Sequence, residues 1–210
     1  MTGNEMINPD LAACEVHGMT RSAFILRGAL AAGAVYGTAS VGPFVAQAFA
    51  AEESGDVEIL NFALTLEYLE SDFYNVKGKA IGLIGQAKKY ATEFGGQESA
   101  HVSALTAAIK QLGGKPVAKP TFVFPVSDEQ SFLALASTLE NVGVGAYNGA
   151  APSLKSKQVL ASAGSIVQVE GRHAAAIDLL IGKSPTPNGA FDKPLTKAEA
   201  LAAAGPLIKK

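Results

Sequence analysis

Cysteine is nearly absent. Cys14 is the only one in 210 residues, so the chain can form neither an intrachain disulfide nor a thiolate metal site. It reads as an inert residue of the N-terminal leader. A charge excess is missing as well. A net charge of −2 gives no case for nucleic acid or an anionic membrane surface as a partner. Histidine is scarce, with only His17, His101 and His173 present. Charged side chains make up 17% of the chain and hydrophobic ones 48%, so one ordinary domain with a sizeable core is feasible.

Residues 28–50 contain no charged side chain at all. The stretch is long enough to span a bilayer, yet it is rich in Gly and Ala, carries Pro43 and is only weakly apolar. It ends in Ala48-Phe49-Ala50, a small-x-small cleavage pattern. The expectation for residues 1–50 is therefore an export signal removed near Ala50, with a periplasmic, cell-envelope or extracellular destination. An uncleaved anchor, the one route to a membrane, and a buried helix are the alternatives. The stretch from Thr20 to Arg27 resembles a twin-arginine signal, with Ser22 where the second Arg should stand. Met19 as the true start would give a more usual short leader.

What the remainder does contain is a repeat. Glu98-Ser99-Ala100-His101 is echoed by Glu170-Gly171-Arg172-His173. Glu67 precedes Glu98 by 31 residues, and Glu140 precedes Glu170 by 30. Tyr74 and Tyr147 each follow the upstream Glu by seven. Helical periodicity places these groups on four apolar stripes. The first helix is expected from about Ser54 to Val76, with stripe Leu60, Leu64, Glu67, Ser71, Tyr74. The second runs from about Leu83 to Leu112, through Phe94, Glu98, His101 and Leu105, with a weak point at Gly95-Gly96. The third begins near Ser127, capped by Ser127 and Gln130, and carries Glu140 and Tyr147. The fourth runs from about Ser156 to Ile181, carrying Glu170 and His173 and ending on the stripe position Leu180.

Pro116, Pro120 and Pro125 exclude a helix between the second and third. That link, about 14 residues, reaches roughly 46 Å when extended, against about 38 Å for a 25-residue helix. It can run the full length of a bundle. Two hairpins joined by one long crossover give an all-α, antiparallel four-helix bundle over 51–182. Residues 183–210 are expected to form a tail that packs on it, with a short helix near Thr196–Ala204.

Buried carboxylates must be neutralised, paired or metal-bound, and no Lys or Arg falls on the stripes. Two divalent cations balance four carboxylates with both histidines neutral. Glu and His three apart share a helix face, so both can reach one ion. The candidate ligands are Glu67, Glu98, His101, Glu140, Glu170 and His173, and the implied cofactor is two metal ions per chain. Oxygen and nitrogen donors suit iron and manganese, and do not exclude zinc. Tyr74 and Tyr147 are auxiliary candidates, as hydrogen-bond donors to ligands or an electron supply; plain core packing is the other reading. Glu70 lies on a neighbouring stripe and reads as a solvated or paired helix carboxylate, with a spare ligand or a gate for incoming iron as alternatives. Lys88 and Lys89 read as solvated surface.

With DVEILNFALTLEYLESDFY and EGRHAA the chain resembles the ferritin-like di-metal carboxylate proteins, including bacterioferritin and rubrerythrin. It looks like the branch that includes desiccation-related proteins and many exported bacterial ones, over about residues 54–205. The resemblance implies that Glu67 and Glu140 are terminal ligands, that Glu98 and Glu170 bridge, and that His101 and His173 bind one ion each. Relatives often carry an Asp just before the ExxH Glu. Here those positions hold Gln97 and Val169, so the orientation of both imidazoles is expected to come from elsewhere. The function expected is Fe(II) oxidation with O2 or H2O2, in iron or oxidative-stress protection. A di-manganese catalase-like enzyme and a non-catalytic stress protein are the alternatives. A homo-oligomer is compatible with the family, but the sequence marks no interface.

Overall fold

The computed structural model describes residues 55–209. The expected leader, with Cys14, His17 and the Ala48-Phe49-Ala50 pattern, lies outside the described residues. Within them the protein is all-helical. Helix α1 spans Asp56–Asp72, α2 Gly85–Gln111, α3 Glu129–Ala150, α4 Lys157–Leu180 and α5 Lys197–Ala204. No strand forms among the described residues, and a single isolated antiparallel bridge pairs Phe122 with Ile208. No described helix is long and apolar enough to cross a membrane.

Hairpins α1–α2 and α3–α4 pack as the stripes predict. Leu60, Leu64, Leu105 and Ile109 close one end of the bundle with Val159, Ala163 and Ile166. Phe73, Tyr74, Phe94, Phe132 and Ile177 fill the other. Each fully buried aliphatic contributes about 1.5–3 kcal/mol. The metal-ligand candidates lie between these two apolar ends.

The crossover, residues 112–128, climbs beside α1. Asn61 holds it at one point, donating from Nδ2 to the Lys115 carbonyl at 3.2 Å and accepting from the Val117 N–H at 2.6 Å. Further along, Lys119 pairs with Asp72 at 2.8 Å. The link therefore travels the way α1 does and returns the chain to the level where α3 can descend antiparallel to α1. Asp56 fastens the opposite end, accepting from the Lys155 and Ser156 N–H groups at 2.8 and 2.9 Å.

Several expectations need correction. The first helix does not stop at Val76: α1 passes into a π-helical turn, Phe73–Lys77, then one α-turn, Gly78–Ala80. The α3 cap is not Ser127 with Gln130. Asp128 accepts from the Ser131 N–H at 2.8 Å, and Ser131 Oγ accepts in turn from the Asp128 N–H at 3.2 Å. Asp128 is the better cap because its carboxylate complements the positive end of the helix dipole. Helix α2 runs unbroken through Gly95-Gly96. Leu112 and Leu180 end their stripes in solvent, at 42% and 37% exposure, because each lies past the end of the opposing core. Ser71 is half-buried and faces Ser99 at 3.2 Å across the α1–α2 seam. Lys88 and Lys89 are exposed.

The tail lies against the bundle. The Leu195 N–H donates to the Gly145 carbonyl at 2.8 Å, the Val123 N–H to the Leu207 carbonyl at 2.8 Å, and Ala200 and Ala204 of α5 are buried.

Candidate metal centre

Glu67, Glu98, Glu140 and Glu170 are all completely buried, one from each helix of the bundle. His173 is 1% exposed and His101 9%. One ligand atom from each of Glu67, Glu98, His101 and Glu170 can be chosen so that all lie within 4.8 Å of one another. The same holds for Glu98, Glu140, Glu170 and His173. Glu98 and Glu170 belong to both groups. The six residues singled out by the repeat thus converge on two overlapping four-residue clusters.

The polar atoms at the centre are poorly served by protein. His101 Nδ1 lies 3.2 Å from Glu67 Oε2, 3.1 Å from Glu98 Oε2 and 3.0 Å from Glu170 Oε1. His173 Nδ1 lies 2.9 Å from Glu98 Oε1 and 3.4 Å from Glu140 Oε2. Glu98 Oε1, Glu140 Oε2, both Glu170 oxygens and His173 Nδ1 are buried with no well-formed hydrogen bond. A buried acceptor left so costs about 1–3 kcal/mol, more when charged. Asp178 shows the contrast. It is equally buried, but Ser137 Oγ donates to it at 2.6 Å and Asn141 Nδ2 at 3.0 Å. Asp178 is a satisfied structural carboxylate, whereas the centre is a set of inward-facing groups able to serve as donors to a cation. These Glu/His clusters can hold metal ions, and their oxygen and nitrogen chemistry fits a pair of first-row divalent ions.

Electrostatics agree. Burial and the neighbouring carboxylates push Glu70 and Glu170 well above the ordinary range, and burial lifts Glu67 to about 8. Burial acts on Glu98 in the same direction, but hydrogen bonding to His101 and His173 overrides it and brings Glu98 down to about 2. Burial opposes charge on the imidazoles too, yet the carboxylates around them raise His101 to about 12 and His173 to about 10. Without metal the cluster therefore holds protons where it would otherwise hold cations.

The two tyrosines touch the centre, each across the bundle. Tyr74 Oη donates to Glu140 Oε1 at 2.5 Å, and Tyr147 Oη to Glu67 Oε1 at 2.5 Å. A tyrosine two turns beyond its own Glu cannot reach back to it. Because α1 and α3 run antiparallel, it meets the other hairpin's Glu instead. Each bond leaves the second Glu oxygen free to face inward.

Three features were misread or unread in the sequence. Glu70 is not solvated: it is 3% exposed, a fifth carboxylate at the centre. Its counterpart in the repeat is Gly143, where a Cβ would lie 3.2 Å from Glu70 Oε1 and 3.4 Å from Glu170 Oε2. That glycine leaves the room Glu70 fills, and the pairing of Glu70 with a glycine in the repeat was the available signal. Second, imidazole orientation does not come wholly from elsewhere: Gln97 Oε1 accepts from His173 Nε2 at 2.5 Å. Third, Phe94 stacks on the His173 ring, with centroids 4.0 Å apart.

A ferritin-like domain model matches residues 55–183. No curated protein matches the chain.

Proposed function

The chain belongs to the ferritin-like domain family, and from that premise we propose that it is an exported di-iron protein that oxidises Fe(II) with O2 or H2O2, limiting iron and peroxide damage. The observation that carries this reading is the set of buried carboxylate and imidazole atoms without hydrogen bonds, shared between two overlapping clusters. Glu67 with His101 would hold one ion, Glu140 with His173 the other, and Glu98 and Glu170 would span both. When bound, the metal pair would supply two electrons to the oxidant: two Fe(II) with H2O2 and two protons would give two Fe(III) and two waters, and with O2 and two protons two Fe(III) and one H2O2. Tyr74 and Tyr147 keep Glu140 and Glu67 in their inward orientation, and the apolar clusters close the site at both ends of the bundle.

The test is metal analysis of protein purified without added metal, followed by stopped-flow Fe(II) oxidation. Wild type is expected to oxidise Fe(II) rapidly, and Glu170→Ala to lose the fast phase. Equal rates in the two proteins contradict the reading. Bound manganese with peroxide disproportionation and no Fe(II) oxidation would make it the di-manganese catalase-like enzyme instead. Neither metal nor turnover would leave a non-catalytic stress protein.

A further inference from the structure

The repeat is symmetric in its six ligand candidates but not in what stands behind the histidines. Gln97 immediately precedes Glu98, and Val169 immediately precedes Glu170. The Gln97 amide is fixed at both ends: Nε2 donates to Glu93 Oε1 at 3.3 Å, and Oε1 accepts from His173 Nε2 at 2.5 Å. That second bond keeps a proton on Nε2 and turns Nδ1 inward, so that loss of the Nδ1 proton to an arriving ion leaves the tautomer a metal ligand needs. Phe94 covers the face of the same ring. At the equivalent position Val169 offers no acceptor. The hydrogen bonds of His101 are all made by Nδ1, and among the described residues nothing holds its Nε2. The His101 side chain is 11% exposed against 2% for His173. Both histidines border an open groove of about 390 Å³ between α2 and α4, whose polar lining includes Glu93, Gln97 and Arg172, but on that side Gln97 and Phe94 cover His173.

We propose that Gln97 is a positioning residue that makes the two halves of the centre inequivalent: the half built on His173 is pre-organised and binds metal first, while the half built on His101 is loose and exchanges its ion through the α2–α4 groove. The inference rests on the metal-binding reading above. It adds an order of loading and a route. A hydrogen-bonded histidine is a better ligand because ring orientation and tautomer are set before the ion arrives; losing such a partner costs about 10–100-fold in metal affinity. A one-sided partner therefore splits two otherwise similar halves by that factor. The lasting ion would sit with Glu140 and His173, and the ion that comes and goes with Glu67 and His101.

Three histidines in the whole chain make the test clean. Full-length protein carrying 15N-histidine is titrated with Zn(II), with His17 as internal reference and calorimetry run alongside. In wild type the His173 signals should move over the first equivalent and the His101 signals over the second. Gln97→Leu should weaken the His173 half by about 10–100-fold, so that the order is lost or reversed, while the affinity of the His101 half stays unchanged. Gln97→Glu, which restores an acceptor, should restore the order. Val169→Gln should tighten the His101 half and draw the two steps together. Gln97 is only half-buried, so a melt of Gln97→Leu close to wild type certifies the fold. His101 loading first, or an order indifferent to Gln97→Leu, overturns the inference while leaving a two-metal centre. If neither histidine moves after two equivalents, the metal-binding reading itself fails.

Discussion

At the residue scale the centre is a balance between like charges and the cations they wait for. Glu67, Glu98, Glu140 and Glu170 were legible because each interrupts an apolar stripe and recurs at matched spacing. Glu70 was not legible in that way. It lies one short turn from Glu67 on a stripe that helical geometry alone assigns to the flank, and only the cleft at Gly143 draws it inward. Gln97 was missed for a related reason: it sits beside Glu98 in sequence, off the stripe, and its partner His173 belongs to the other hairpin. Removing a buried carboxyl group whose oxygens find no hydrogen bond relieves the cost of burying it in the metal-free protein. Metal-free Glu170→Ala is therefore expected to melt at or above the wild-type temperature, while the proposed function requires it to lose Fe(II) oxidation. Glu70→Ala should share the stability gain, yet keep both four-residue clusters and, on the proposed function, most of the Fe(II) oxidation. Calorimetric melts of the two metal-free variants decide this, and a large loss of stability in Glu170→Ala would mean that its carboxylate serves the fold. Such an opposition of stability and activity is the mark of a site kept for function.

At the element scale, helix identities and the long crossover follow from periodicity and proline placement, and both could be read in advance. The π-turn at Phe73–Lys77 could not, because it depends on how Phe73 stacks on Phe132 at 4.3 Å and on where Tyr74 must point to reach Glu140. The tail's seat was equally hidden. A Cβ on Gly149 would sit 1.9 Å from the Leu195 carbonyl oxygen, so the tail can pass over this face of α3 only where no side chain stands. Gly149→Ala is predicted to displace the tail and to destabilise by about 1–3 kcal/mol. Gly164→Ala, in the middle of α4 with open space around its Cβ, should stabilise by about 0.5–1 kcal/mol. Denaturant unfolding of both variants separates the two effects. A neutral Gly149→Ala would show that the tail contact contributes little.

At the scale of the whole molecule, stability and metal loading are linked through protons. Glu67 at about 8, His101 at about 12 and His173 at about 10 all bind protons more tightly folded than unfolded. The stability they lend is complete below their ordinary values and is lost as pH rises toward the folded ones. Glu98, at about 2, acts in the opposite sense, but only in acid, as pH falls below its ordinary value. The metal-free protein is therefore expected to lose melting temperature steadily between about pH 5 and pH 9. Metal must displace the same protons, so its apparent affinity should rise across that window. A metal-free melting temperature that climbs with pH would show that the cluster is not proton-loaded as described. The central claim is that the four-helix bundle encloses a centre for two metal ions, and one measurement meets it head-on. Metal-free full-length protein is titrated anaerobically with Fe(II) in a calorimeter, with bound metal counted after desalting. The account predicts two ions per chain. A folded protein with all six side chains intact that retains none would contradict it.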